Sequence, residues 1–109
     1  MIRIIDLPVD EIGLDPEAAS ETVNAAVRRH GGTKAVGLGL VAERVLIFLE
    51  PADADAAPVY RFAPLEDGPS VAAAIAEIKA RHYAGFRTVG LFECRERPWG
   101  LFEQVKDLN

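Results

Sequence analysis

The sequence is short of several residue types, and each shortage excludes a class of protein. The 109 residues include one cysteine, Cys94, so no disulfide can form within the chain. No apolar run approaches the ~20 residues that a membrane-spanning helix requires. The N-terminal stretch lacks the basic head, apolar middle and cleavage site of a secretory signal. We therefore expect a cytoplasmic protein that does not contact a membrane.

Basic residues are also scarce. Lysine and arginine together number 12 against 17 acids, which gives a net charge of −5, and the basic residues are scattered along the chain. Proteins that bind nucleic acids gather lysine and arginine on one face to neutralise phosphates. We therefore expect no nucleic-acid partner, since this charge is ordinary for a small domain that must stay in solution.

Motifs that bind phosphates or metals, or that supply a catalytic nucleophile, are missing. His30 and His82 lie near the ends of predicted helices, but no further ligand stands at helical spacing from either. A metal site is therefore not predicted, and neither are a cofactor or catalytic residues. Cys94 has no evident activating partner and is interpreted as a buried apolar residue, although its role stays open.

What the sequence does contain is a repeated stretch. Residues 36–50 read VGLGLVAERVLIFLE and residues 89–103 read VGLFECRERPWGLFE. Without a gap, the two share Val, Gly, Leu, Glu, Arg and Glu at the same places. Each pattern predicts a β-hairpin: the first with strands 34–41 and 44–50, the second with strands 87–94 and 99–105.

The segments before the two hairpins also correspond. Residues 2–7 and 58–65 are rich in strand-forming residues and end in turn-forming residues. Helices are predicted over residues 16–30, where Asp15 caps and Pro16 begins the first turn, and over residues 70–83. Their apolar stripes align at an offset of 52 positions, pairing Ala19, Val23, Ala26 and His30 with Val71, Ile75, Ile78 and His82.

These matches predict one α+β domain built from two tandem β-α-β-β units. The first unit covers residues 1–50, residues 51–57 form a linker, and the second unit covers residues 58–107. A single unit leaves its sheet partly uncovered, so two are needed for a closed core. We predict an antiparallel sheet of about six strands with both helices on one face. Two facing sheets, or a ferredoxin-like β-α-β-β-α-β sheet with an extra C-terminal strand, remain alternatives.

The most unusual local chemistry lies in the second hairpin. Glu93 stands where the first copy has Leu40, and Trp99 stands where it has Leu46. With a turn near Glu96, these two residues are expected to be cross-strand neighbours, and an acid beside an indole suits a cationic or aromatic ligand. The candidate ligand-binding set adds other residues of the second unit: Tyr60, Phe62 and His82. Core packing of the aromatic residues is the alternative interpretation.

The tandem strand-helix-strand-strand layout, with an acid and a tryptophan in a late hairpin, resembles that of the gyrase-inhibitor-like effector-binding domains. This resemblance implies a domain that binds small, often cationic or aromatic molecules. We therefore predict a non-enzymatic binding or regulatory domain whose ligand lies at the junction of the two units, in a homodimer. A protein–protein interaction or oligomerisation module is one alternative. A small enzyme that uses Glu93 or His82 as acid or base is another.

Overall fold

A computed structural model describes residues 2–52, 58–66 and 70–104 of the chain. The fold is α+β, and its elements run in this order: β1 (Arg3–Pro8), α1 (Val9–Leu14), α2 (Pro16–Arg29), β2 (Thr33–Val41), β3 (Arg44–Pro51), β4 (Val59–Pro64), α3 (Val71–Tyr83), β5 (Phe86–Cys94) and β6 (Arg97–Gln104). We call the described residues up to 52 the first half and those from 58 the second half. Part of the predicted linker (53–57), part of the turn before α3 (67–69) and the end of the chain (105–109) lie outside the described residues.

The strands form two separate antiparallel sheets of three strands each. Sheet A has the order β1-β3-β2, and sheet B has the order β4-β6-β5. The prediction of one sheet of about six strands is therefore wrong, and a single ferredoxin-like sheet is not formed either. Strands β2 and β5 lie next to each other, but the side chain of Leu38 packs against the backbone of Gly90.

Both hairpins close with two-residue turns. Ala42 and Glu43 in the first, and Arg95 and Glu96 in the second, have positive φ angles between 49° and 65°. Paired positive φ values match the right-handed twist of the flanking strands. The second turn is tighter than the predicted turn over residues 95–98, because Arg97 already belongs to β6.

Each hairpin also contains an irregularity at the corresponding position. The register shifts between Ala35 and Gly37 in the first hairpin, and between Thr88 and Gly90 in the second. Each shift inserts one extra residue into the first strand of the hairpin, which strengthens the local twist and bends the strand.

Helix α2 begins and ends where the sequence predicts. The Asp15 carboxylate accepts a hydrogen bond from the Ala18 N–H at 3.1 Å, Pro16 is the first helical residue, and His30 is the C-cap. The short helix α1 was not predicted, because six residues show no full helical period. It buries Val9 and Ile12 in the core.

Helix α2 packs on β4 of the other half and is fixed to it by hydrogen bonds. The Asn24 side chain accepts from the Tyr60 N–H at 2.7 Å and donates to the Tyr60 carbonyl at 3.0 Å. The Ser20 hydroxyl accepts from the Phe62 N–H at 2.9 Å. These side chains satisfy backbone groups on the outer edge of β4 that would otherwise lack partners inside the protein.

Helix α3 turns a different face to the protein from the one its apolar stripe predicts. Val71 is 76% exposed and Ile75 is 48% exposed, whereas Glu77 is buried. The Glu77 carboxylate accepts from the Glu66 N–H at 2.6 Å and from Arg81, whose guanidinium lies 4.4 Å from the centre of the Phe102 ring. This polar contact with sheet B therefore fixes the rotation of the helix and leaves part of the stripe in solvent.

The main core lies where sheet A, helices α1 and α2 and one face of sheet B meet. Its fully buried members include Ile12, Val23, Ile47 and Leu101. No described helix is long and apolar enough to cross a membrane.

Candidate functional site

The five residues predicted to bind a ligand lie on opposite sides of sheet B. Tyr60, Phe62 and Trp99 point to the face that packs into the core, and they are 1%, 2% and 8% exposed. Glu93 and His82 are exposed on the other side, Glu93 on β5 and His82 on α3. The structure therefore does not bring the predicted set together.

The prediction that Glu93 and Trp99 are cross-strand neighbours is wrong, because the register of the hairpin differs from the predicted one by one residue. Trp99 lies opposite Phe92, and Glu93 lies opposite Pro98. Because the turn is two residues long, Glu93 and Trp99 fall on opposite faces of the hairpin. The acid and the indole cannot form the walls of one pocket in this register.

The buried aromatic residues form packed core. The rings of Phe62 and Phe92 meet edge to face, with centroids 5.9 Å apart and planes 83° apart. A cavity of about 460 Å³ between α2 and β4 has Tyr60 and Phe62 among its lining residues, together with Ser20 and Asn24, although the two aromatic residues are themselves 1% and 2% exposed.

A hydrogen-bonded network joins the two halves at the phenol of Tyr60. The Tyr60 hydroxyl accepts from the Ala35 N–H of β2 at 2.7 Å and donates to the Glu103 carboxylate at 2.7 Å. Arg87 donates to both oxygens of Glu103, at 3.0 and 3.1 Å, and to the Ala35 carbonyl at 3.1 Å. The network therefore connects β2 in sheet A to all three strands of sheet B, and we call it the junction network.

The electrostatics of the junction network fix one protonation state. Burial, followed by the hydrogen bond to Glu103, raises the pKa of Tyr60 far above its ordinary value of 10.0. Burial works against ionisation of Glu103, but the hydrogen bonds from Arg87 and Tyr60 outweigh it and lower the pKa of Glu103. The hydrogen bond with Glu103 raises the pKa of Arg87. A neutral phenol, a carboxylate and a guanidinium therefore stabilise one another.

A small cavity lies between α3 and β5. Its volume is about 310 Å³, and its lining residues are Ile78, Lys79, His82, Tyr83 and Thr88. The Thr88 hydroxyl oxygen is buried and has no hydrogen-bond partner among the described residues. This cavity contains His82 but none of the other four residues of the predicted ligand-binding set.

The least expected feature is the outer face of sheet A, opposite the core. Alternation along the strands assigns to it eleven residues that are all exposed or half-buried: Ile4, Asp6, Pro8, Lys34, Gly37, Gly39, Val41, Arg44, Leu46, Phe48 and Glu50. We call this surface the bare face. On the inner face of the central strand, by contrast, Val45, Ile47 and Leu49 are at most 1% exposed.

The corresponding face of sheet B is covered. Trp99 and Leu101 stand 53 positions after Leu46 and Phe48, and they are 8% and 0% exposed in the core. The same face of the second hairpin therefore packs inside the molecule, whereas that of the first hairpin faces outward.

The sequence carried a signal for this surface. Residues 45–49 of β3 are apolar at every position, a pattern typical of strands that are covered on both sides. A central strand apolar on both faces but covered on only one indicates that a second surface packs on it. The candidate functional site is therefore the bare face rather than the aromatic residues of the second hairpin.

The described residues include no group of three or more His, Cys, Asp or Glu side chains placed to hold a metal ion. The described residues form an α+β domain that carries the bare face on sheet A. No protein-family model, no curated protein and no solved structure matches the chain significantly.

Proposed function

We propose that this protein is a small non-enzymatic binding domain and that the bare face of sheet A is its binding surface. The observation that carries the proposal is that Leu46 and Phe48 are only half-buried on a central strand whose other face is fully buried. Apolar side chains on a sheet face gain most when a second layer removes them from water. Of the functions that the sequence allows, a protein–protein interaction or oligomerisation module fits this surface best.

We also propose that the chain is a tandem duplication of one β-α-β-β unit. Three correspondences support it: the shared edge-centre-edge strand order, the irregularities before Gly37 and Gly90, and the paired positive φ angles in both turns. Under this proposal, the bare face is the first unit's copy of a surface that the second unit buries. Duplication thus explains why an apolar sheet face remains available for binding.

An enzyme that uses Glu93 or His82 has less support. The cavity at His82 is not lined by Glu93, and the hydrogen-bonded carboxylate of Glu103 is tied to Arg87 and Tyr60. An acid and a base that act together must meet at one reacting centre. We therefore favour binding over catalysis.

Binding of the dye 1-anilinonaphthalene-8-sulfonate to dilute, folded protein tests the proposed surface. Replacing Leu46 and Phe48 together with threonine should remove most of the dye binding. The folding free energy should change by only about 0.5 kcal/mol per site, because these side chains lie outside the core. The matched control replaces the exposed Val59 and Leu91 of sheet B with threonine. Dye binding that depends on the control pair, or on neither pair, would contradict the proposal.

A small-molecule ligand is a second candidate function, and the unpartnered Thr88 hydroxyl is the observation that favours it. The cavity walls carry Lys79 and His82, so an acidic aromatic molecule fits better there than a cationic one. Titration with benzoate, followed by the amide resonances of β5, should give saturable shifts that a Thr88→Val substitution weakens. Shifts that are linear in concentration, or identical in the variant, would remove this candidate.

A further inference from the structure

We infer that a second copy of this chain covers the bare face, with the two central strands antiparallel and a twofold axis near Ile47. The inference rests on the proposed function and names the partner. The product is a homodimer in which two A sheets stack face to face.

The charges along the central strand support a homodimer with antiparallel central strands. On the bare face, β3 presents Arg44, Leu46, Phe48 and Glu50 in that order. A twofold axis at residue 47 sets residue 44 of one copy against residue 50 of the other, twice in each dimer. Arg44 therefore meets the partner's Glu50 at both ends, so the pattern is complementary to itself only in the antiparallel orientation.

The apolar residues follow the same symmetry. The axis sets Leu46 of one copy against Phe48 of the other, so the two larger apolar side chains of the strand cover each other. Gly37 and Gly39 stand beside them on β2. A Cβ atom at Gly39 would meet no other atom within 4 Å, and one at Gly37 would make an ordinary contact of 3.9 Å with the Phe48 ring of the same copy. These glycines leave room in which a partner's leucine and phenylalanine side chains can pack.

The ends of the bare face keep the stack in register. Asp6 bonds the Arg44 guanidinium at 2.6 Å, and the two side chains are 51% and 47% exposed. Arg44 has five N–H donors, so it can hold Asp6 and a carboxylate of the second copy together. At the other end, Lys34 lies across from Glu50 on the neighbouring strand. Each end of the bare face therefore presents one acidic and one basic side chain to the second copy.

The size of the face sets the strength of the association. Three strands about 4.8 Å apart and about six residues long cover on the order of 300 Å² on each copy. The total is below the ~1,200–2,000 Å² of a standard stable interface. We therefore expect a reversible dimer that dissociates in the micromolar to millimolar range.

Charge exchange across the axis is the decisive experiment, measured by sedimentation equilibrium of the full chain. Arg44→Glu and Glu50→Arg each set like charges against each other in the dimer. Each should weaken dimerisation by about tenfold or more, which corresponds to about 1.4 kcal/mol. The double variant R44E/E50R restores opposite charges and should return the dissociation constant to within about threefold of the starting value. Arg61→Glu, an exposed reversal on β4 of sheet B, should leave it unchanged.

Three results would overturn the inference: a monomer up to millimolar concentration, single variants that dimerise like the parent, or a double variant that stays as weak as the singles. Denaturation curves show whether each variant is folded, and exposed Arg44 and Glu50 contribute little to the core. Dye binding that still requires Leu46 and Phe48 in a strictly monomeric chain would refute the dimer but retain the proposed function. The occupant would then be an apolar surface of another protein. A strictly monomeric chain whose dye binding does not depend on Leu46 and Phe48 would refute both proposals.

Discussion

At the residue scale, Tyr60 decides how the two halves meet. The sequence presents it as one aromatic residue in a short strand, and an aromatic ligand site was one prediction for it. In the structure its ring is core and its hydroxyl lies between the Ala35 N–H and the Glu103 carboxylate. A phenol suits this position because one oxygen can accept and donate at the same time.

Replacing Tyr60 with phenylalanine should lower the free energy of unfolding by about 1–3 kcal/mol. The ring stays, but the Ala35 N–H and one oxygen of Glu103 lose a buried partner. Urea denaturation followed by circular dichroism measures the change. Tyr83→Phe is the matched control, because Tyr83 is 85% exposed. Equal effects of the two substitutions would show that the phenol of Tyr60 does not join the halves.

The junction network also predicts how stability depends on pH. Glu103 has a lowered pKa in the folded state, so its contribution is present above its ordinary value of 4.5 and is lost as pH falls through the lowered value. Tyr60 has a raised pKa, so its contribution is full below 10.0 and is lost as pH rises above that value. Denaturation midpoints measured from pH 3 to 11 should fall at both ends. Glu103→Gln should flatten the acid limb and Tyr60→Phe the alkaline limb; limbs unchanged in these variants would assign the titration to other groups.

Gly100 is a second residue whose role depends on its neighbours. A Cβ atom there would lie 2.6 Å from the Phe102 ring and 3.1 Å from Leu91. Gly100→Ala should therefore destabilise the protein by about 1–3 kcal/mol through overpacking. Gly39→Ala, at a strand glycine facing open space, should be neutral or slightly stabilising. Thermal unfolding compares the two variants, and equal melting temperatures would show that the Phe102 ring can move aside.

At the element scale, a helix of the first half covers a strand edge of the second half. Strand edges with unpaired N–H and C=O groups invite pairing with other chains. On β4, the side chains of Ser20 and Asn24 take the place of a neighbouring strand. Helix α3 does not do this for sheet A, because Glu77 and Arg81 fix it on sheet B.

Removing the Asn24 amide should therefore destabilise the contact between α2 and the edge of β4 as well as the helix itself. Asn24→Ala leaves the N–H and C=O of Tyr60 without partners, which we expect to cost about 1–3 kcal/mol. The control is Thr22→Ala on the exposed side of α2, expected within about 0.5 kcal/mol. Hydrogen exchange at the Tyr60 amide should accelerate in the first variant and not in the second. An amide that stays protected without Asn24 would contradict this account of the edge.

At the scale of the whole molecule, the halves share one core and one polar junction. Ala35 of the first half is held by Tyr60 and Arg87 of the second, and Leu38 packs against Gly90. One buried apolar cluster contains residues of both halves, among them Ile47 and Leu101. The protein should therefore behave as one cooperative unit.

Unfolding should accordingly be a single transition. Trp99, the only tryptophan in the chain, reports on the second half, and far-ultraviolet circular dichroism reports on all helices and strands. The two signals should give coincident urea curves. In the Tyr60→Phe variant the two curves should again coincide, but at a lower midpoint. A transition of Trp99 that precedes or follows the loss of helix would show that the halves unfold separately.

The sequence alone determined the local structure. Strand alternation, the Asp15-Pro16 helix start and the turn residues predicted the strands, α2, α3 and both hairpins close to their observed bounds, because these signals act over a few neighbouring residues. It did not predict α1, whose six residues are too few to show a period. The polar contact of Glu77 and Arg81 with sheet B, which rotates α3, was not visible because its partner Phe102 lies in a distant strand.

Only the tertiary structure decided how the two sheets meet and which residues remain outside. A two-residue turn put Glu93 and Trp99 on opposite faces, and the hydroxyl of Tyr60 found its partners on β2, β6 and, through Glu103, β5. The apolar pattern of residues 45–49 shows that both faces of β3 tend to be covered. Which face the chain covers by itself depends on contacts between distant segments, since burial belongs to the assembled surface and not to any one strand.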